Sequence, residues 1–170
     1  STAAQLNTIN AATTLPIDAS AVTALALDSL DNINQLLSAN LNASEFSSNS
    51  FSSLASVSVS ETEVSVSDLN VAITFANDAT GGTSTVFSLS SGATINSGIE
   101  SDFTTLLGFE TAQQVDVTDQ NLTIDTGTLS VSNANLLDAT TSGIVTANIA
   151  IDSTVDSLAT LTGTGNAYTI

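Results

Sequence analysis

The chain has 170 residues, about one domain's worth, with 17 acidic side chains and no Lys, Arg or His, for a formal charge of −17. Without Lys or Arg nothing neutralises phosphates, which all but excludes direct nucleic-acid binding and docking on anionic membranes through a polybasic patch. Without His, Cys or Lys the usual ways of activating a nucleophile are missing as well. Apolar residues make up 42 % of the chain, enough for a core, and a chain of this size buries about 70 % of its unfolded surface. Every carboxylate must therefore be solvated, bonded to neutral donors or bound to a cation from solution. No apolar run approaches the roughly 18 residues of a membrane span, and the absence of Cys rules out disulfides. The surface composition, rich in Ser, Thr, Asn and Ala and free of trypsin sites, suits exposure to proteases and salt, and points to an extracellular, secreted location.

Thr2-Ala3-Ala4-Gln5 has capping-box spacing, with Leu6 and Ile9 following at helical intervals, which predicts a helix over 2–12. Pro16 ends any helix before it, and Ile17 to Ala19 can be extended. Leu30, Ile33, Leu36 and Leu37 share a helical face, with Asp28 or Ser29 as cap, giving a helix over 29–39. From Ser47 the period becomes two. Val57 and Val59 alternate with Ser, and Val64 and Val66 do so on the opposite parity, so a turn or bulge at 60–63 keeps Glu61 and Glu63 out of the core. Leu69, Val71, Ile73 and Phe75 alternate most cleanly of all and predict a strand.

Asn77 to Gly82 reads as a loop, and Val86 to Leu89 as the partner strand. Ile99, Phe103, Leu106 and Leu107 form a helical stripe that Gly108 stops. Short strands are predicted at 115–117, 122–124 and 129–131, the last two joined by a turn at Asp125-Thr126-Gly127-Thr128. A stub helix at 133–138, a strand at 144–151, a helix capped by Ser153 and ended by Gly163, and a strand from Ala167 to Ile170 complete the chain. A unit of cap, short helix, polar break and strand fits 1–19, 132–151 and 152–170, and loosely 28–46; Ala12-Thr13-Thr14 recurs as Ala139-Thr140-Thr141. The expectation is a mainly β fold with short helices (α+β), a β-sandwich or a solenoid-like stack of helix–strand repeats. It divides into helix–strand units at 1–46, a strand-rich core at 47–131 and helix–strand repeats at 132–170, within one compact domain. Ser1 in place of Met, and the strand-like Tyr168-Thr169-Ile170, make both ends read as cut.

The stretch Thr2-Ala3-Ala4-Gln5-Leu6-Asn7-Thr8-Ile9-Asn10-Ala11-Ala12-Thr13-Thr14 resembles phrases in very large Thr/Ala/Asn-rich cell-surface proteins of marine cyanobacteria and other aquatic bacteria, S-layer-like or adhesin chains in which such phrases recur in tandem. Residues 155–170, from Val155-Asp156-Ser157-Leu158 to Tyr168-Thr169-Ile170, resemble them too. The resemblance covers about a third of the chain. It implies a structural or adhesive module of a cell-surface layer, filament or giant adhesin that self-assembles with identical or neighbouring repeats, has a cell-surface glycan as a further partner, and is not an enzyme. Calcium-binding nonapeptides accompany such proteins, but Gly81-Gly82 is the only Gly pair here and no Asp follows at the required offset.

Calcium also enters from the residues themselves, since it takes six to eight oxygens. Asp116, Asp119, Asn121 and Asp125 offer oxygens around one turn, and Asp78 before Gly81-Gly82 is a second candidate. Asp28 with Asp31 is better read as helix capping. The carboxylate pair available for glycan chemistry, Glu61 and Glu63, would lie about 7 Å apart on one strand face; Trp is absent and Tyr168 is the lone Tyr, so no sugar platform accompanies them and a carbohydrate-binding or glycan-active module is the lesser alternative. Asn42-Ala43-Ser44 and Asn121-Leu122-Thr123 match the glycosylation sequon, a match expected by chance in this composition. The last strand, 166–170, could instead be donated to a neighbour, making a filament by terminal strand exchange.

Overall fold

The computed structural model describes residues 1–82, 85–150 and 154–170. Helix α1 (Ala3–Ala12) begins at the predicted capping box: the Thr2 hydroxyl accepts the Gln5 N–H at 3.2 Å and the Gln5 side chain accepts the Thr2 N–H at 3.1 Å. Strand β1 (Ala24–Asp28) runs directly into α2 (Leu30–Ala39), capped by Ser29, which buries Leu30, Ile33, Leu36 and Leu37. Strand β2 (Ser56–Val59) buries Val57 and Val59, and after a bend at 60–62 β3 (Glu63–Ser65) buries Val64. The predicted phase break thus becomes a corner between two sheets.

The clearest strand expectation is overturned. Leu69 to Phe75 lies in α3 (Val66–Thr80), capped by Ser65 and closed by Gly81 at φ +66°. The buried set is Val66, Leu69, Ala72, Ile73 and Ala76, which repeats at helical intervals, whereas Val71 is exposed. Two alanines carry the helical face, so counting only large side chains sees a period of two. The 77–82 loop is likewise mostly helix end.

Strands β4 (Val86–Ser88) and β5 (Thr94–Asn96) follow, then α4 (Glu100–Thr111), which runs through Gly108 rather than stopping there. The strand predicted at 122–124 lies in a longer one, β6 (Asn121–Leu129), while of the strand predicted at 129–131 only Leu129 belongs to it, since Ser130 caps the next helix and Val131 opens it; the turn-like Asp125 to Thr128 is an exposed irregularity within β6, with Gly127 at φ +84° and a register shift between Ile124 and Leu129. Val115 makes a single bridge to Phe87 instead of a strand. Helix α5 (Val131–Thr140), strand β7 (Val145–Ile149), the four-residue α6 (Val155–Leu158) and β8 (Ala167–Thr169) complete the order. Thr154 caps α6, and the predicted cap Ser153 lies outside the described residues.

The architecture is α/β with two parallel sheets, ordered β1-β2-β4 and β3-β5-β6-β7-β8. This corrects the mainly β expectation of a sandwich or β-rich solenoid-like stack. A sandwich is built from antiparallel neighbours, whereas every strand pair here is parallel, including β2 with β4, where Val57 faces Phe87. Parallel neighbours need a crossover between them, and the helices supply it. One apolar core runs from Ala3 to Ile149 beneath both sheets and the helices. Among the described residues no helix is long and apolar enough to cross a membrane.

Consecutive helices are also tied by a recurring polar contact. The fifth residue of α1, α2, α3 and α5 is Asn, and each donates its side-chain amide to a backbone carbonyl of the next unit: Asn7 to Asn32 at 2.9 Å, Asn34 to Asp68 at 3.1 Å, Asn70 to Asp102 at 2.9 Å and Asn135 to Thr160 at 2.8 Å.

Two glycines separate packing from backbone entropy. A Cβ on Gly143 would stand 2.2 Å from the Gln120 carbonyl oxygen, while one on Gly108 meets nothing within 4 Å. Urea unfolding should show Gly143→Ala less stable by about 1–3 kcal/mol and Gly108→Ala more stable by about 0.5–1 kcal/mol.

Candidate functional site

Of the residues proposed for the first calcium site, Asp116 and Asp119 share a cavity while Asn121 and Asp125 do not line it, and Asp78, the second candidate, lies at another cavity. Asp116 and Asp119 line one shallow cavity with Ser88, Ser91 and Thr118. Asp116 accepts the N–H and hydroxyl of Thr118 at 3.0 and 2.6 Å, closing its own turn. Asp119 accepts the Ser91 hydroxyl at 2.6 Å and the Gln120 amide. Asn121 is a strand bridge: its Oδ1 accepts the Ile144 N–H at 2.9 Å and its Nδ2 donates to the Gly92 carbonyl at 3.2 Å. Asp125 takes the Ser97 N–H at 3.2 Å at the β6 irregularity. Asp78 lines a different cavity beside Asn40 and Gly81. Among the described residues no three acidic side chains stand together as a metal-holding group.

Glu61 and Glu63 differ in what they bond. Glu61 lies in the bend between β2 and β3, where its Oε1 accepts the first N–H of α2, from Leu30, at 2.7 Å. Glu63 stands exposed on β3. Both line a small cleft with Asp31 and Asp68, which occupy the first turns of α2 and α3, where a negative charge complements the helix dipole.

The structure instead brings out a pattern of carboxylates joining one unit to the next through neutral donors. Asp28 accepts the Ala4 N–H at 2.6 Å, the Ser29 N–H at 2.8 Å and the Asn32 amide at 2.8 Å. Glu45 accepts the amides of Asn10 and Asn42 at 2.6 and 2.9 Å. Glu100, in the first turn of α4, takes the Ser130 N–H and hydroxyl and the Asn133 amide at 3.1, 2.9 and 2.7 Å, reaching the cap of α5. Asp138 of α5 holds Thr162 and Asn166 ahead of β8 at 2.8 and 2.7 Å. Composition alone required neutral partners. It could not show which distant donor each acid meets: the Ala4 N–H for Asp28, the Asn10 amide for Glu45 and the Asn133 amide for Glu100 lie 24 to 35 residues away in the chain.

Electrostatics follow from these bonds. Burial pushes the Asp28 carboxyl up, but the Ala4 N–H, the Asn32 amide, the Ser29 N–H and the Thr2 hydroxyl outweigh it and hold it below the usual range. Burial of Glu100 is likewise outweighed by Asn133 and both Ser130 donors. Glu110 goes the other way: burial raises it and the charge of Asp116 adds to the rise, against one N–H from Val117. Neither a protein-family model, nor a curated protein, nor a solved structure matches this chain.

Asp28 and Glu100, lowered in the folded state, contribute stability that is present above their unfolded values and lost as pH falls through the folded ones. Glu110, raised, opposes folding once it ionises. Asp28→Asn and Glu100→Gln should each cost about 1–2 kcal/mol at pH 7, by leaving donors unmatched at partly solvated sites, and should flatten the acid limb of a stability–pH curve. Glu110→Gln should leave neutral stability equal or higher. Urea titrations from pH 3 to pH 7, about the range of carboxylate ionisation, read all three.

Proposed function

We propose that the chain is an extracellular structural or adhesive module of a cell-surface layer, filament or giant adhesin. The observation that carries this reading is how the acids are used. Asp28, Glu45, Glu61, Glu100 and Asp138 hold successive units together rather than converging on a common pocket. A frame joined by carboxylates and neutral donors keeps its polar contacts in salt, whereas exposed ion pairs are screened. The Ser-, Thr- and Asn-rich sequence without Lys or Arg gives such a frame a surface with no cleavage site for trypsin-like proteases.

The glycan-active alternative gains nothing from the site. Glu61 is engaged with α2, and Tyr168, the lone Tyr, is half-buried, taking the Asn166 amide at 3.1 Å and donating to the Ala134 carbonyl at 3.4 Å. Terminal strand exchange would remove β8 from its own sheet, where it already pairs with β7; what β8 leaves open to a neighbour is its outer edge.

Antibodies against the chain should label intact cells of the source organism, and brief external proteolysis with an enzyme of broad specificity should remove the label. Labelling only after permeabilisation would sink the surface reading. Strong hits on a glycan array would favour the carbohydrate-binding alternative.

A further inference from the structure

The loop of residues 89–93, between β4 and β5, meets residues 116–120, ahead of β6, around the shallow cavity that holds Asp116 and Asp119. The second of these segments is held from both sides. Towards β5, Asp119 accepts the Ser91 hydroxyl at 2.6 Å and the Gln120 side-chain amide donates to the Ser90 carbonyl at 3.3 Å. Towards β7, the Ser142 N–H and hydroxyl donate to the Thr118 carbonyl at 2.8 and 2.9 Å, and the Thr141 hydroxyl donates to the Gln120 carbonyl at 2.5 Å. The backbone under the two acids is therefore fixed by its neighbours on either side.

Gln120 lines the same cavity and is only 2 % exposed. Its Nε2 is used on Ser90 and on Asp119, but its Oε1 is buried and meets no donor. Of the four described residues that carry such an oxygen, Gln120 alone is itself buried. A buried acceptor without a donor is costly, and one in a native fold calls for a partner. Because the same amide bonds Asp119, the free oxygen lies one amide group away from a carboxylate, where a second acceptor is repelled unless a cation joins the two. Asp116 has capacity left as well: both Thr118 donors go to its Oδ1, and its Oδ2 accepts nothing among the described residues.

We infer that Asp116, Asp119 and the Gln120 side-chain oxygen form a calcium-binding site. The donors are all oxygens, two of them carboxylates and one an amide, which is the set a hard cation takes and not one that favours zinc or copper. Calcium accepts amide and hydroxyl oxygens in flexible numbers, whereas magnesium demands a near-ideal octahedron, so calcium is the better match. The chain's charge of −17, with no cationic side chain to compete, draws cations towards the cavity. The cleft with Asp31, Glu61, Glu63 and Asp68 holds more acids, but none of its lining residues carries a buried oxygen without a partner, and its acids serve the starts of α2 and α3. It is the control for mere acidity.

Calorimetric titration of the whole chain with calcium chloride, in about 0.15 M NaCl to screen the general charge, tests this, with melting curves recorded alongside. The expected result is one calcium bound per chain with a dissociation constant of about 10⁻⁴–10⁻³ M, a raised melting temperature and weaker binding of magnesium chloride. Asp116→Asn should weaken calcium binding about tenfold or more. Gln120→Glu puts a carboxylate where the amide stands; it should melt lower without calcium, having lost the donor to Asp119, and bind calcium about tenfold tighter. Glu63→Gln should leave binding unchanged. No heat and no melting shift up to about 10 mM calcium, magnesium bound as tightly as calcium, a loss through Glu63→Gln as large as that through Asp116→Asn, or no tightening in Gln120→Glu would each overturn the inference. None of those results touches the surface reading, which the labelling of intact cells decides separately.

Discussion

The constraint on which the structure depends is the lack of any cationic side chain. A carboxylate that leaves bulk water must find donors, and here the donors are backbone N–H groups, amides and hydroxyls. Many of those N–H groups lie at helix starts, where the first turn has no partner of its own. Glu61 serves the first N–H of α2, Asp28 that of the second residue of α1, and Glu100 the cap of α5. The acids and the helix termini therefore satisfy each other, and a strongly charged chain gains order from its charge instead of losing it to repulsion.

Much of the local structure was legible from the residues. The capping box of α1, the Ser29 cap of α2 and the apolar face of α2 were legible from Thr2-Ala3-Ala4-Gln5, from Ser29 and from the spacing of Leu30, Ile33 and Leu37, whereas Ile9, read as continuing the face of α1 from Leu6, is exposed. The region around α3 was not, because alternation of large side chains and a helical face completed by Ala72 and Ala76 look alike when alanine is discounted. Strand direction was also hidden. Short Val- and Ile-bearing strands occur in both kinds of sheet, and only recognising α3 as a helix reveals the crossover that makes β2 and β4 parallel.

The candidate site was legible in kind but not in place. That unpaired acids need neutral partners follows from composition, while the grouping of Asp116, Asp119, Asn121 and Asp125 assumed that closeness in sequence meant convergence. Asn121 turned out to bridge backbones and Asp125 to face Ser97. A sequence signal for the contacts between units did exist: Thr2, Ser29, Ser65 and Ser130 are each followed five residues later by Asn, at Asn7, Asn34, Asn70 and Asn135. Asn is a poor residue inside a helix. Its return at one distance from a cap marks a side chain that bonds beyond its own helix.

The parallel order of the strands has a mechanical consequence. In the second sheet each strand's neighbours come from consecutive turns of the chain, and β8 stands at the edge. Tension on the C-terminus meets first the most thinly buried unit, that of α6 and β8, and detaching it leaves β7 and its contacts to β6 in place. A pull is thus answered one turn at a time, each release lengthening the tether before the next turn bears the load. Such a chain yields in stages.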